Sequence, residues 1–299
     1  MDRASGGGSG HRMFITYNLH PDITPILLIR FEPTGHPMYP RLPRSFKKTF
    51  PFKLCAPSFI YPDDYIPNIR LLGACLDEIE ILCFESDALP SSRSIQEMAS
   101  LATDMDLTYN VHLPTDINPG SLEPNVRNHF IETMLRVMER VQPLRASTHT
   151  LHLPYLQTPV RGKCDMSWID RTADTLHKLL KTGIKGSCLS IETLDYPLEW
   201  LAPVLDVFHL QVCLDLGHLM IHQEDITATY DHFENRTALI HLHGVQNGKD
   251  HLGLDVLDPN PQKGICSILN RFSGTVSIEV FSYMHLMNSL TVLETWFKR

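Results

Sequence analysis

The sequence predicts an α/β protein folded as a single (β/α)8 barrel, and three observations support this prediction. Apolar segments typical of buried β-strands alternate with segments of helical periodicity eight times from residue 52 onward. The strand-like segments are almost continuously apolar, as expected for parallel strands buried on both faces. With 299 residues, the chain has the length of one such barrel. A doubly wound open sheet is the alternative, but SFIYPDD follows the first strand in place of a Gly-rich turn.

The element boundaries follow from changes in periodicity, from turn residues and from caps. The predicted strands are Lys53–Ile60, Glu78–Phe84, Leu107–Leu113, Ser147–Leu153, Ser187–Glu192, Leu210–Asp215, Ala238–His243 and Thr275–Val280. The helices predicted to follow them are Asp64–Leu76, Ser92–Met105, Glu123–Val141, Ser167–Thr182, Pro197–Phe208, Ile226–Glu234, Gly264–Phe272 and Leu286–Phe297. Pro203 predicts a kink or an early end of the fifth helix.

Residues 1–51 are predicted to form a flexible leader and an N-terminal extension, and residues 52–299 the barrel. The leader opens with MDRASGGGSGHR, whose Gly and Ser content is typical of a flexible tail. The segment that follows is rich in proline and basic residues and has no regular pattern. Because regular periodicity begins only at Phe52, a natural translation start at Met38 is a hypothesis.

Composition narrows the classes of partner. The net charge of −8 opposes broad attraction to nucleic acid or to anionic membranes. No apolar stretch has the length of a membrane span, and no signal-peptide core is present. The seven cysteines are scattered without a CxxC pair, which predicts neither a disulfide framework nor a zinc knuckle. We therefore expect a cytoplasmic protein without a nucleic-acid or membrane partner.

Ionisable side chains end six successive predicted strands, from the third to the eighth. In a barrel of this kind the carboxyl ends of the strands form the active face. The residues expected there are His112, His152, Glu192, Asp215 with His218 on the loop just beyond it, His241 with His243, and Glu279, joined by Asp250 and His251 from the loop after the seventh strand. Glu85 ends the second strand, and structural and functional roles for it are evenly balanced.

This residue set predicts a polynuclear metal site. A single histidine at a strand end is more often structural, but buried carboxylates without partners are very costly, and cations compensate them. Imidazole and carboxylate ligands suit Zn²⁺, Mn²⁺ or Fe²⁺. His241 and His243 share strand parity, so both are expected to face the barrel axis. His241 is the deeper and better ligand candidate, and His243 is expected to bind metal or substrate.

Several motifs resemble the xylose-isomerase-like barrel superfamily, in the subset typified by endonuclease IV. They are YNVHLP, THTLHLP, SIETLD, CLDLGH, IHLHG, KDHLGL and SIEVF. The resemblance implies two or three divalent cations held by His112, His152, Glu192, Asp215, His218, His241, His251 and Glu279. One departure is that Asp250 and His251 are adjacent, whereas the subset has one residue between the equivalent pair.

A closer similarity is to the cobamide-remodelling phosphodiesterase family, through APSFIYPDDYIPNIRLL, DEIEILCFES and LTYNVHLPTDI. It implies hydrolysis of the nucleotide loop of adenosylated cobamides to cobinamide phosphate and the lower-base riboside. The residues that would line the substrate mouth are Tyr61, Asp63, Asp64, Glu85, His243 and Asp250. Alternatively, the Pro62-Asp63-Asp64 segment has a structural role, forming a turn and capping the helix that follows.

On this resemblance, the catalytic carboxylates are Glu192, Asp215 and Glu279, which would hold the central cation together with His241. His112 and His152 would hold a second cation, and His218 and His251 a third. The first rival is a sugar or sugar-phosphate isomerase or epimerase, which would use the central cation alone. The second is an abasic-site endonuclease, which would need basic loops. A non-catalytic binding module is a distant alternative.

Overall fold

The computed structural model describes residues 30–31, 37–156 and 165–298. The chain divides into two units, residues 1–39 and 40–299. In the first unit, Arg30–Phe31 pairs antiparallel with Pro37–Met38. The remainder of the predicted leader up to residue 36 lies outside the described residues, and the predicted boundary at residue 51 stays a prediction.

Eight parallel strands close into a barrel in the second unit, which confirms the predicted fold class. Each strand pairs with its sequence neighbours, and the eighth pairs with the first from Thr275↔Lys53 to Ser277↔Cys55. The strands are β1 Lys53–Pro57, β2 Glu78–Leu82, β3 Thr108–His112, β4 His149–Leu151, β5 Leu189–Glu192, β6 Gln211–Asp215, β7 Thr237–Leu242 and β8 Thr275–Ile278.

Helices surround the barrel and several begin at a polar cap. The helices are α1 Tyr65–Leu72, α2 Ser92–Met105, α3 Pro124–Val141, α4 Met166–Leu180, α5 Ala202–Phe208, α6 Leu216–Ile221, α7 Ile226–Phe233, α8 Pro259–Arg271 and α9 Tyr283–Phe297. Ser91, Asp165 and Asp225 each accept a backbone N–H of the first turn that follows. None of the helices in the described part of the chain has the length and hydropathy needed to cross a bilayer.

The strands present polar residues to the barrel interior and apolar residues to the helices. In β2, Glu78 and Glu80 alternate with Ile79 and Ile81, and all four side chains are buried. The isoleucines therefore face the helix layer, whose apolar stripes complete the core. Because β2 is buried on both faces, its carboxylates need polar partners inside the barrel.

Several element ends differ from the prediction for local reasons. Strand β1 ends at Pro57, and the buried Asn68 then binds the backbone N–H and carbonyl of Tyr61, so the chain turns before Ile60. Helix α8 begins at Pro259, five residues before the predicted Gly264. Proline is compatible with the first turn of a helix, because the N–H groups of that turn have no partner within the helix. A 3-10 turn over Leu198–Leu201 precedes α5, so the helix breaks next to Pro203.

Two elements at the carboxyl end of the barrel were not predicted. Helix α6 begins directly after β6, and Asp215 caps it by accepting the His218 N–H at 2.8 Å. The expected loop position of His218 is therefore wrong, since His218 lies in this helix. A β-hairpin of Gly244–Gln246 and Lys249–Leu252, here called the rim hairpin, follows β7. Its two-residue turn, Asn247-Gly248, has positive φ angles of 54° and 74°.

Candidate metal centre

The predicted ligands converge at the carboxyl end of the barrel. His112, Glu192 and Asp215 are the last residues of β3, β5 and β6. His152 and Glu279 directly follow β4 and β8. Consecutive parallel strands therefore present their terminal side chains to one space, as the sequence predicts.

The central group consists of Glu192, Asp215, His241 and Glu279. One candidate ligand atom from each lies within 4.8 Å of the others, and all four side chains are buried. Nδ1 of His241 is 3.1 Å from Oε2 of Glu279 and 3.6 Å from Oε1 of Glu192. Three carboxylates and one imidazole nitrogen thus surround one point, which is a suitable ligand set for Zn²⁺, Mn²⁺ or Fe²⁺.

A second group shares Glu192 with the first. Nε2 of His112 and Nε2 of His152 lie 3.1 and 2.9 Å from Oε2 of Glu192. The other oxygen, Oε1, faces His241 in the central group. Glu192 therefore belongs to both groups and would contribute one carboxylate oxygen to each.

Backbone carbonyls fix which nitrogen three of the histidines present. Nδ1–H of His112 donates to the Leu113 carbonyl at 3.0 Å, and Nδ1–H of His218 donates to the Thr193 carbonyl at the same distance. Nδ1–H of His251 donates to the Glu279 carbonyl, also at 3.0 Å. These bonds leave the lone pair on Nε2, which is the arrangement expected of ligating histidines.

The third group contains His218, His243 and His251, but His243 differs from its neighbours. The backbone N–H of His251 donates to Nδ1 of His243 at 3.0 Å. In a neutral ring the proton is then on Nε2, which lies 3.2 Å from Oδ1 of Asp215. A cation could bind Nε2 only after loss of this proton, and it could bind Nδ1 only if the bond from His251 were broken. We therefore assign the ligand lone pairs of this group to His218 and His251.

Unpartnered buried atoms test whether cations fit this cluster. Nine buried side-chain atoms of the described residues have no hydrogen-bond partner, and Asp215 Oδ2, His241 Nδ1 and Glu279 Oε2 are among them. These atoms belong to three of the four side chains of the central group. Buried polar atoms without partners are costly, and a divalent cation would satisfy all three at once. The residues therefore fit a metal centre.

The electrostatics of the cluster show how its charges balance without a cation. Burial opposes the charged form of His218, but Asp215 and Glu192 outweigh it and raise its pKa to about 9. Burial likewise opposes ionisation of Glu192 and Glu279, yet the neighbouring histidines hold the pKa of both carboxyls below their ordinary value. Carboxylates and protonated imidazoles therefore stabilise one another, and cations would replace the imidazole protons.

The predicted substrate-binding residues are less concentrated. Tyr61 is buried, and its hydroxyl donates to the Pro40 carbonyl at 2.7 Å. Asp64 is exposed at the N-cap position of α1, without a side-chain cap bond. Glu85 is exposed on the loop after β2. Asp250 precedes His251 in the rim hairpin and is half-buried.

Two residues beside the cluster were not assigned a site role from the sequence. Glu80 of β2 is buried beneath His241, with Oε1 3.0 Å from Nε2 of the ring. Two carboxylates on one face of a buried strand, in EIEIL, were the available indication of a polar interior. Sγ of Cys213 also lies within 4.8 Å of ligand atoms of Glu192 and His241. Burial raises the pKa of this thiol, which disfavours a thiolate ligand.

Two half-buried aromatic rings flank the cluster. Phe84 contacts His112 edge-on with ring centroids 4.9 Å apart, and Phe281 contacts His251 at 5.1 Å. The two phenylalanine rings are 6.4 Å apart. They cover ligand imidazoles from two groups with apolar surface, and a less polar surrounding strengthens electrostatic interactions within the cluster.

Comparison with known proteins identifies the fold and the family. Residues 72–294, more than half of the chain, match the family model described as xylose isomerase-like TIM barrel. No curated protein matches the sequence.

Solved structures with this fold include enzymes of two kinds. A D-tagatose 3-epimerase-like protein is 19% identical, with a TM-score of 0.67 over 82% of this chain and 97% of that chain. Endonuclease IV from Thermus thermophilus is 16% identical, with a TM-score of 0.62 over 82% and 98%. The IOLI protein, solved with a zinc atom bound, is 14% identical, with a TM-score of 0.62 over 83% and 100%. At these identities the likeness shows the fold alone.

Proposed function

The chain belongs to the xylose isomerase-like TIM barrel family, and within it we propose a metal-dependent phosphodiesterase that hydrolyses the nucleotide loop of adenosylated cobamides. The products would be cobinamide phosphate and the riboside of the lower base. Such a reaction would let a cell salvage a corrinoid and rebuild it with another base.

The observation that carries the proposal is the second ligand group. His112 and His152 both reach Oε2 of Glu192, in addition to the complete central group. A single-cation isomerase would need no ligands from β3 and β4. Two adjacent cations, in contrast, suit phosphodiester hydrolysis, because charge develops on both the attacking and the leaving oxygen.

The residues of the chain would position the reacting groups. Bound divalent cations would supply Lewis acidity toward water and the phosphoryl oxygens. Glu192 would bridge the two ligand groups, while the His218 N–H holds Oδ1 of Asp215 so that Oδ2 is directed to the central group. Hydrolysis would add water across the P–O bond, with the oxygen joining phosphorus and the proton going to the departing ribose oxygen. Phe84 and Phe281 would exclude other water from the cluster.

The substrate class rests on the sequence resemblance together with charge. The motifs around Tyr61, Glu80 and His112 resemble the cobamide-remodelling family, and they occupy the first three barrel strands and the turns that follow them. The net charge of −8 opposes binding of abasic DNA, which carries a dense row of phosphates. A small corrinoid with one phosphodiester suits this charge better.

A product assay tests the proposal. Purified protein loaded anaerobically with Mn²⁺, Fe²⁺ or Zn²⁺ is incubated with adenosylcobalamin, and the products are identified by mass spectrometry. The expected result is cobinamide phosphate with the benzimidazole riboside. Intact cobamide with every metal would reject the proposed substrate.

Matched variants link the activity to the cluster. Glu192→Gln keeps the shape of the side chain but removes its charge, and we expect hydrolysis to fall at least about 100-fold. Glu199→Gln makes the same substitution at an exposed glutamate in the 3-10 turn before α5 and should leave turnover unchanged. Full turnover in Glu192→Gln would reject the metal-centre assignment.

A sugar or sugar-phosphate epimerase is the second candidate. The observation that favours it is that Glu192, Asp215, His241 and Glu279 form a complete ligand set on their own. In that case, loss of His152 would leave turnover intact. Epimerisation of a ketose by the loaded protein, with no release of cobinamide phosphate, would establish this candidate.

A further inference from the structure

Glu80 lies in the middle of β2 and is fully buried. Its carboxylate is held by donors from two other strands. Oε1 is 3.0 Å from Nε2 of His241, and Oε2 accepts the Ser277 hydroxyl at 2.6 Å. His241 and Ser277 are register partners in β7 and β8, so the carboxylate is fixed against one rigid strand pair.

This contact decides which nitrogen of His241 faces the central group. Because the Glu80 carboxylate only accepts hydrogen bonds, the neutral His241 ring keeps its proton on Nε2. Its lone pair is then on Nδ1, 3.1 Å from Oε2 of Glu279. If Glu80 were absent, the ring could instead turn an Nδ1–H toward Glu279, and that proton would occupy the place of a cation.

We propose that Glu80 is a positioning residue that holds His241 in the Nε2–H form, so that Nδ1 is available to a divalent cation. A carboxylate on the far nitrogen also increases the basicity of a ligating imidazole. His241 then differs from His112, His218 and His251, which present Nε2 because backbone carbonyls hold their Nδ1–H. The inference concerns metal binding and is independent of the substrate.

Glu78 provides a matched control. It lies two residues earlier on the same strand, faces the same side and is equally buried. Its carboxylate accepts the Thr108 and Ser147 hydroxyls at 2.6 and 2.7 Å and the Asn110 amide at 3.0 Å. None of these partners is a histidine. Removing its charge therefore changes a buried carboxylate without changing the cluster.

The experiment measures Zn²⁺ affinity by competition with a chromophoric chelator. For Glu80→Gln we expect the dissociation constant of the central site to rise about 10–100-fold. For Glu78→Gln we expect wild-type affinity, even if the melting temperature falls. Equal affinities in wild type and Glu80→Gln would overturn the inference. Failure of the wild-type protein to bind Zn²⁺ would also overturn the inference, because Nδ1 of His241 would then hold no cation, whereas the product assay with all three metals tests the proposed function separately.

A second measurement uses the wild-type protein, so it does not depend on whether a Glu80 variant folds. The ¹⁵N chemical shifts of the histidine rings in the Zn²⁺-loaded wild-type protein distinguish a metal-bound nitrogen from an N–H, with His241→Gln identifying the signals of that ring. We expect His241 to be protonated at Nε2 and metal-bound at Nδ1, opposite to His112. Metal at Nε2 of His241, or an N–H at Nδ1, would overturn the inference.

Discussion

Gly217 makes room for the most constrained imidazole of the cluster. A Cβ at this position would lie 1.9 Å from Cε1 of His243, so any larger residue must displace the ring. His243 in turn contacts Asp215 and accepts the His251 N–H. The glycine in CLDLGH is therefore explained by packing inside the site, and its flexibility is not needed.

We expect Gly217→Ala to lower the free energy of unfolding by about 1–3 kcal/mol, because an added methyl group in a packed interior forces rearrangement. It should also weaken metal binding, because displacement of the His243 ring removes its contact with Asp215. Thermal melts and metal analysis measure the two effects. Gly264→Ala is the control, because its Cβ would meet only side-chain atoms of α7 at 3.1 Å or more. Normal metal binding in Gly217→Ala would contradict this account of His243.

His152 tests the second ligand group directly. Its side chain is 22% exposed, whereas the His112 side chain is 1% exposed, so its removal should disturb packing less. We expect His152→Ala to fold, to lose one metal equivalent and to lose phosphodiester hydrolysis by at least about 100-fold. His149→Ala is the control, because that ring bonds the Cys188 carbonyl and is not part of the cluster. Unchanged metal content in His152→Ala would show that the second group binds no cation.

At the scale of elements, the rim hairpin positions His251. Its turn has Gly248 at φ 74°, and His251 itself has φ 51°, a conformation that L-residues seldom adopt. This backbone directs the His251 N–H to His243. Strain of this kind persists where surrounding contacts enforce it, and it is common at functional sites.

Gly248→Ala should destabilise the hairpin by about 1 kcal/mol, because the turn needs a positive φ. We expect faster amide exchange in residues 244–252 and reduced metal binding at His218 and His251. Gly183→Ala is the matched control, since Gly183 also has a positive φ, of 106°, with no atom within 4 Å of an added Cβ. It should lose stability without changing metal content. Equal metal content in both variants would show that the rim hairpin does not position the metal ligands.

Elements that bury a long apolar face could be predicted, and short elements held by specific contacts could not. All eight barrel strands and their following helices lie where periodicity predicts them, because burial on both faces demands a continuous apolar run. The six-residue α6 has too few turns to show periodicity. The rim hairpin does carry an indication, since Asn247-Gly248 is a preferred two-residue turn.

The convergence of these side chains could be predicted because parallel strands carry their ends to one face. Contacts across the barrel could not. Glu80 meets His241 over a separation of 161 residues, and alternation alone does not specify which interior side chains touch. The pairing of His243 with the His251 N–H likewise depends on the positive φ of His251.

At the scale of the whole molecule, the cluster makes stability depend on pH. In the metal-free protein His218 has a pKa of about 9, above its ordinary value of 6.5. A raised histidine pKa contributes stability fully below pH 6.5, and this contribution is lost as the pH rises through about 9. Glu192, Asp215 and Glu279 have lowered pKa values, so their contribution is lost as the pH falls into the acid range.

We therefore expect the melting temperature of chelator-treated protein to decrease between pH 6.5 and 9. Zn²⁺ should reverse the decrease, because it replaces the imidazole protons. Differential scanning calorimetry across this range, with and without metal, measures both effects. A metal-free melting temperature that stays constant or rises would contradict the proposed charge balance.

We propose that the carboxyl end of the barrel binds at least two divalent cations and that Glu192 contributes to both sites. The most direct test of this proposal is the number of metal equivalents bound per chain after anaerobic loading and desalting, measured by mass spectrometry of the metals. We expect at least two equivalents in the wild-type protein and a smaller number in Glu192→Ala. One equivalent, unchanged in His112→Ala and His152→Ala, would contradict it and favour a single-cation isomerase.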